Sequence, residues 1–161
     1  MSTGGKKIAV IGAGPAGYTA AQELSKNGYT VDIYDKEDRL GGAIYTGIPE
    51  YRMSKVFLDK VFASMKEDKN ITFHFNTKID CERFEGLRKN YDKVLVATGA
   101  QIENTYGFEP GNGLYAGLTL LYDLNIRGNH EYYKKYKKDM VWGGGNVAMD
   151  CARSLVRIID D

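Results

Sequence analysis

Cysteine is scarce in this sequence: 161 residues contain two, Cys81 and Cys151, far apart and in no C-x-x-C arrangement. That argues against a disulfide framework, a cysteine-built zinc site and a redox dithiol, and leaves a reducing cytosol as the default compartment. Histidine is equally sparse, and His74 and His130 show no triad or metal-ligand spacing with Asp123 or Glu109. No general acid, base, nucleophile or metal set follows from the pattern. His74 reads as packing or surface on an alternating strand, and His130 as solvated. An excess of one charge is also missing, since 22 basic and 21 acidic residues leave a net charge of +1. The overall balance gives no support to a nucleic-acid or membrane-surface partner. The one interleaved basic and aromatic run, Tyr132 to Lys138, reads as a solvated linker. No apolar stretch reaches the roughly 18 residues of a membrane span. Ile8 to Ala21, behind Lys6 and Lys7, has the outline of a signal peptide, but glycines and Pro15 interrupt it.

What the chain does have is 43% hydrophobic and 27% charged residues, the balance of a globular domain. Its length suits one ordinary domain and falls short of two complete dinucleotide-binding domains. Lys7 to Ile11 reads as a buried strand, Ala16 to Lys26 as a helix stopped by Gly28, and Thr30 to Tyr34 as a second strand. Strand, turn, helix and strand in about 30 residues make a βαβ unit. Ser54 to Lys66 predicts an amphipathic helix with Ser54 as N-cap and Val56, Phe57, Val61, Phe62 and Met65 on its apolar side. Strands are expected at Ile71 to Phe75 and, buried, at Asp92 to Thr98. Residues 100–118 read as a connection and Leu118 to Ile126 as a short helix. A strand is expected at Lys138 to Trp142 and a helix at Asn146 to Ile159. No internal repeat is present.

The chemistry lies in the glycines. Gly12-Ala13-Gly14-Pro15-Ala16-Gly17 follows a predicted strand and opens a helix, the context in which G-x-G-x-x-G binds a dinucleotide. Gly12 makes the tight turn, Gly14 lets backbone approach a pyrophosphate, and Gly17 lets the helix pack on the strand. Helix N-terminal amides then face the anion. Asp35 stands 18 residues past Gly17, where a carboxylate accepts from an adenosine ribose and disfavours a 2′-phosphate. The first site is therefore expected to take FAD or NAD. Arg39-Leu40-Gly41-Gly42 offers further backbone amides, and Ala97-Thr98-Gly99 lets backbone lie close to a ligand. A second fingerprint, Gly143-Gly144-Gly145-Asn146-Val147-Ala148, stands 18 residues from the end.

Together, GAGPAG, the acid, R-L-G-G and V-A-T-G-A resemble the flavoprotein pyridine-nucleotide oxidoreductases with two dinucleotide-binding domains. Gly47-Ile48-Pro49-Glu50-Tyr51-Arg52 resembles the G-I-P-x-(F/Y)-R signature of glutamate synthase small-subunit-like NADPH:FAD oxidoreductases, and Gly143 to Asp150 resembles their second fingerprint. The resemblance covers about Lys7 to Arg153. It implies an α/β fold: a Rossmann-like FAD-binding domain, three-layered with a mostly parallel sheet, and the truncated start of a second nucleotide-binding domain. The implied boundaries are 1–105 for the FAD domain, 106–137 for a connection, and 138–161 for the first strand and helix of the NAD(P)H domain. It implies FAD held by Gly12, Gly14, Pro15, Ala16, Gly17, Asp35, Arg39, Gly42, Ile79, Thr98 and Gly99, with Arg52 near the flavin end. NAD(P)H would meet Gly143, Gly145, Asn146 and Val147.

The implied activity is hydride transfer from NAD(P)H to FAD and electron transfer onward, with an iron–sulfur or glutamate synthase-type subunit as partner. Five positions depart from the family pattern. Asp35 replaces Glu, Met53-Ser54 replaces Leu-Pro, Thr46 stands where an aromatic is common, and Trp142 replaces a small aliphatic. The C-x4-C of disulfide reductases does not follow Gly42. In the family the FAD domain is interrupted by the NAD(P)H domain, so this chain is expected to be an N-terminal piece. The apolar face of its last helix (Val147, Cys151, Leu155, Ile158) is expected to lack its usual partner, and so to cover another surface, pair with a second chain or fray. The alternative functional reading is a non-catalytic nucleotide-binding or assembly module that docks a partner chain. A plain NAD-binding dehydrogenase domain is disfavoured by the two fingerprints and V-A-T-G-A.

Overall fold

The computed structural model describes residues 5–160, so residues 1–4 and 161 of the expected domain boundaries lie outside it. It divides into two compact units, one comprising residues 5–44 and 56–101, the other 45–55 and 102–160.

The first unit is built on a parallel four-stranded sheet. Its strands are β1 (Lys7–Ile11), β2 (Thr30–Tyr34), β3 (Ile71–His74) and β4 (Lys93–Val96), in the order β3-β2-β1-β4. Apolar β-branched residues make these segments strands, and the period of two sorts their side chains onto two faces. On one face Ile8, Val10, Val31, Ile33 and Ile71 are buried. Helix α1 (Pro15–Lys26) covers this face, and α3 (Lys55–Met65) lies beside it through an edge-to-face contact of Tyr18 with Phe62, centroids 5.7 Å apart. A short α2 (Ala43–Thr46) precedes α3. On the other face Ala9 and Ile11 pack with Leu87, Phe84 and Ile79 beneath α4 (Cys81–Asn90), which Asp80 caps by accepting from the Arg83 amide.

That second face also carries a charge. Asp32 is buried, and its carboxylate accepts from Lys7 Nζ at 2.7 Å and from the Tyr91 hydroxyl, with His74 Nε2 at 3.4 Å. The Tyr34 ring stacks on His74, and its hydroxyl lies 2.7 Å from that of Tyr91. Burial pushes the Asp32 carboxyl up, but hydrogen bonds from Lys7 and Tyr91, with His74 close beside them, outweigh it and hold the group below its usual range.

The sequence places β1, α1 and β2 within one residue of where they form, but three expectations need correction and one helix goes unread. The strand at Asp92 to Thr98 is not buried: β4 is an edge strand, with Leu95 38% and Val96 58% exposed. In α3 the buried positions are Leu58 and Phe62, while Val56 and Phe57 face solvent, because a stripe at i and i+4 suffices to cover its contact. No strand forms at Lys138 to Trp142: with no neighbouring strand among the described residues to share a ladder, the segment stays irregular. Finally, α4 forms in a stretch whose polar sequence carries little helical periodicity.

The second unit is helical, comprising α5 (Gly117–Tyr122), a π-helical turn Asp123–Arg127, α6 (His130–Lys134) and α7 (Asn146–Asp160). Its core joins Leu120, Leu121, Leu124, Tyr133, Cys151 and Ile158, with Leu155 and Val141 packed against it. Of the outcomes open to the apolar face of the last helix, it takes the first and covers another surface within the unit. That surface comes from α5 and from α6, whose Tyr133 is buried inside what reads as a solvated linker. Val147 remains half exposed. Gly117 makes the approach of α5 to α7 possible, since a Cβ there would lie 2.8 Å from Val147. Trp142, unusual before a fingerprint, is an exposed side chain set edge-on to Phe108 rather than a strand end.

Because the Asp32 carboxyl is depressed in the fold, its contribution to stability is complete above the unfolded value of about 3.9 and is lost as pH falls through the folded value. Asp32→Asn should lower the urea midpoint of the first unit at pH 7, with the deficit narrowing steadily below about pH 4. Parallel profiles for the two proteins would contradict this.

Candidate dinucleotide-binding sites

In the first unit the chain leaves β1 at its C-terminal end and turns at Gly12, whose φ is +108°. The order β3-β2-β1-β4 puts the topological switch between β1 and β4, where open parallel sheets bind ligands. Three backbone approaches fix the turn. A Cβ on Gly12 would meet the Ala97 carbonyl oxygen at 2.3 Å, and one on Gly17 would meet the Gly12 carbonyl oxygen at 1.8 Å. One on Gly42, itself at φ +49°, would lie 2.9 Å from Gly14 Cα. Gly14, by contrast, has open space, its nearest would-be contact being Gly42 Cα at 3.8 Å. It is the extended N-cap of α1 and provides no side-chain cap, Pro15 carries no amide proton, and the first turn holds no acidic residue.

Asp35 is tied directly to this turn. Its Oδ2 accepts from the Ala13 amide at 2.6 Å and its Oδ1 from the Glu37 amide at 2.9 Å. The neighbouring backbone is pinned by Gly12 N–H to Tyr34 O, Thr77 N–H to Asp35 O and Gly41 N–H to Ala13 O. The structure therefore brings Gly12, Gly14, Pro15, Ala16, Gly17, Asp35 and Gly42 together, with Thr98 at the Gly12 turn and Gly99 at φ +69° beyond it. Arg39 forms an ion pair with Asp38, Nη2 to Oδ2 2.8 Å. Ile79 packs with the Ala9 and Ile11 cluster.

The second glycine run belongs to the second unit. Gly143 has φ +137°, Gly143 and Gly145 are exposed, and Asn146 and Val147 begin α7. Arg52 lies in this unit too, and its Nη1 donates to Asp150 Oδ2 at 2.6 Å. Beside it the Tyr51 hydroxyl donates to the Asp150 carbonyl at 3.3 Å, and the guanidinium groups of Arg157 and Arg153 lie 4.0 and 4.7 Å from the Tyr51 ring centroid. Reading the sequence misses Asp150 and Tyr51 as partners. The available signal is Asp150 itself, a carboxylate next to Cys151 on a buried helical face, which requires a cation. Cys151 is no reactive thiol, since burial, then Asp150 and Glu103, push it up to about 11. Among the described residues no three His, Cys, Asp or Glu side chains group as metal ligands.

The profile of the pyridine nucleotide-disulphide oxidoreductase family matches residues 6–161, and the chain belongs to that family. It is 38% identical over 160 residues to the NADP(+)-dependent formate dehydrogenase subunit beta of Moorella thermoacetica, covering 96% of this chain and 22% of that protein. It is 34% identical over 166 residues to the glutamate synthase [NADPH] small chain of Azospirillum brasilense, covering 95% of this chain and 34% of that one. The chain thus spans about a third or less of the relatives' length. Its fold matches Mycobacterium tuberculosis FprA, solved with NADPH, with a TM-score of 0.74 at 23% identity, over 92% of this chain and 36% of that one. The Rossmann-like α/β sheet is that of the family, here as a four-stranded portion. The two cysteines, exposed Cys81 and buried Cys151, are both free.

The glycine contacts make a directional prediction. Gly17→Ala should destabilise the first unit by about 3 kcal/mol or more, because the new methyl meets an immobile carbonyl. Gly86→Ala, in open space within α4, should stabilise by about 0.5–1 kcal/mol. Urea unfolding of the two variants checks both signs.

Proposed function

We propose that this chain carries the nucleotide-handling residues of an FAD-dependent oxidoreductase of the glutamate synthase small-chain type, which moves a hydride from NAD(P)H to FAD and electrons onward. The observation that carries the proposal is the asymmetry at the first fingerprint. Gly12, Gly17 and Gly42 are required by backbone contacts within the fold, whereas Gly14 is not, so its missing side chain leaves room for a ligand. The uncapped first turn of α1, free of acidic residues, fits an anionic pyrophosphate there.

In this proposal Gly14, Pro15, Ala16, Gly17 and Gly42 bind the FAD pyrophosphate through backbone and small surfaces. Asp35 orients the adenosine ribose with the lone pairs left after its two amide contacts. Ile79 flanks the adenine side, Thr98 and Gly99 close over the cofactor, and Arg39 extends the charged rim. Gly143, Gly145, Asn146 and Val147 receive the NAD(P)H diphosphate at the start of α7. Bound FAD would supply the hydride acceptor, chemistry that belongs to the cofactor rather than to a side chain. The names of the two relatives, a subunit beta and a small chain, support a partner subunit for the intact protein.

The test is FAD titration of the purified chain followed by flavin fluorescence. Gly14→Val should keep the fold, yet weaken FAD binding by at least roughly tenfold. Equal binding by the wild type and the variant would reject the site.

A further inference from the structure

Asp150 presents an electrostatic problem. Its side chain is only 7% exposed, and it sits four residues beyond Asn146, about 6 Å along the axis of α7 at 1.5 Å per residue. A bare carboxylate buried there would direct negative potential toward the amides at the start of the helix. It would also lack the cation a buried carboxylate needs. The cation it has is Arg52, Nη1 to Oδ2 2.6 Å, whose own side chain is 41% exposed. Arg52 is held in place by its segment. Lys55 Nζ donates to the carbonyls of Tyr45 and Ile48, and Asn125 Nδ2 donates to that of Thr46. Tyr51, against Arg153 and Arg157, binds the same segment to α7 through the Asp150 carbonyl.

Building on the function proposed above, we infer that Arg52 is a positioning residue for the nicotinamide cofactor, acting through Asp150. It cancels the carboxylate behind the second fingerprint, so that the start of α7 presents net positive potential to a diphosphate. The resemblance assigns this arginine to the flavin end. The ion pair assigns it to the other nucleotide.

A purely mechanical latch and an electrostatic role give opposite signs for one variant. Arg52→Met leaves Asp150 charged and unpaired, and should weaken NADPH binding roughly fivefold to tenfold, with the loss shrinking as salt rises. Asp150→Asn removes the opposing charge and leaves Arg52 in place, so NADPH should bind as tightly as to wild type or more tightly. Adding Asp150→Asn to Arg52→Met should recover most of the loss, and Arg52→Lys should retain binding. NADPH fluorescence reads all of these, and circular dichroism checks that each variant is folded. If Asp150→Asn weakens binding as Arg52→Met does, the pair is only a latch and the inference fails, while the proposed function stands. If Arg52→Met cannot be folded, Asp150→Asn alone decides by the same sign. If the wild-type chain binds no NADPH, the inference and the second site both fail, and Gly14-dependent FAD binding shows separately whether the first site survives.

Discussion

The carbonyl of Gly12 occupies the space that any side chain on Gly17 would need, and the carbonyl of Ala97 does the same for Gly12. These two contacts set how closely α1 lies against β1, and how closely the turn lies against the residues after β4. The rest of the first unit follows from them. With α1 seated this way, Val10 is fully buried, the Ala13 amide reaches Asp35 at the end of β2, and Gly42 comes within contact of Gly14. Backbone, not side chains, lines the turn, and that makes it suited to a dinucleotide.

The two units use their charges differently. In the first, buried Asp32 is surrounded by Lys7, Tyr91 and His74, a closed structural cluster on the sheet face under α4. In the second, buried Asp150 has Arg52 as its cation, on a segment that also contributes an aromatic ring and carbonyls to neighbouring helices. Both carboxylates are satisfied, as burial demands. Only the second lies on a helix whose start carries a dinucleotide fingerprint.

Legibility in the sequence tracked how local the determining interaction is. Lys7–Ile11, the glycine turn and Thr30–Tyr34 could be read because periodicity and turn chemistry act within a few residues, and these elements then pair with one another. The spacing also gave Asp35 its place beside the fingerprint. The edge position of β4 could not be read, since Lys-Val-Leu-Val is the same whether or not a further strand lies beside it. The absence of a strand at Lys138 to Trp142 has the same cause. The role of α6 was hidden because Tyr133 sits among lysines and tyrosines, and its burial depends on Leu120, Leu124 and Cys151, distant in sequence. The pairing of Arg52 with Asp150 spans 98 residues, and no local pattern encodes it.

The central claim is that the first fingerprint is a preformed pyrophosphate cradle in this chain. Amide resonances of the isotopically labelled protein, followed by NMR during ADP addition, test it most directly. The account predicts that Gly14, Ala16, Gly17 and Gly42 shift together and saturate together, with the sheet amides unmoved. Shifts confined to other residues, or none in a folded chain at saturating ADP, would contradict it.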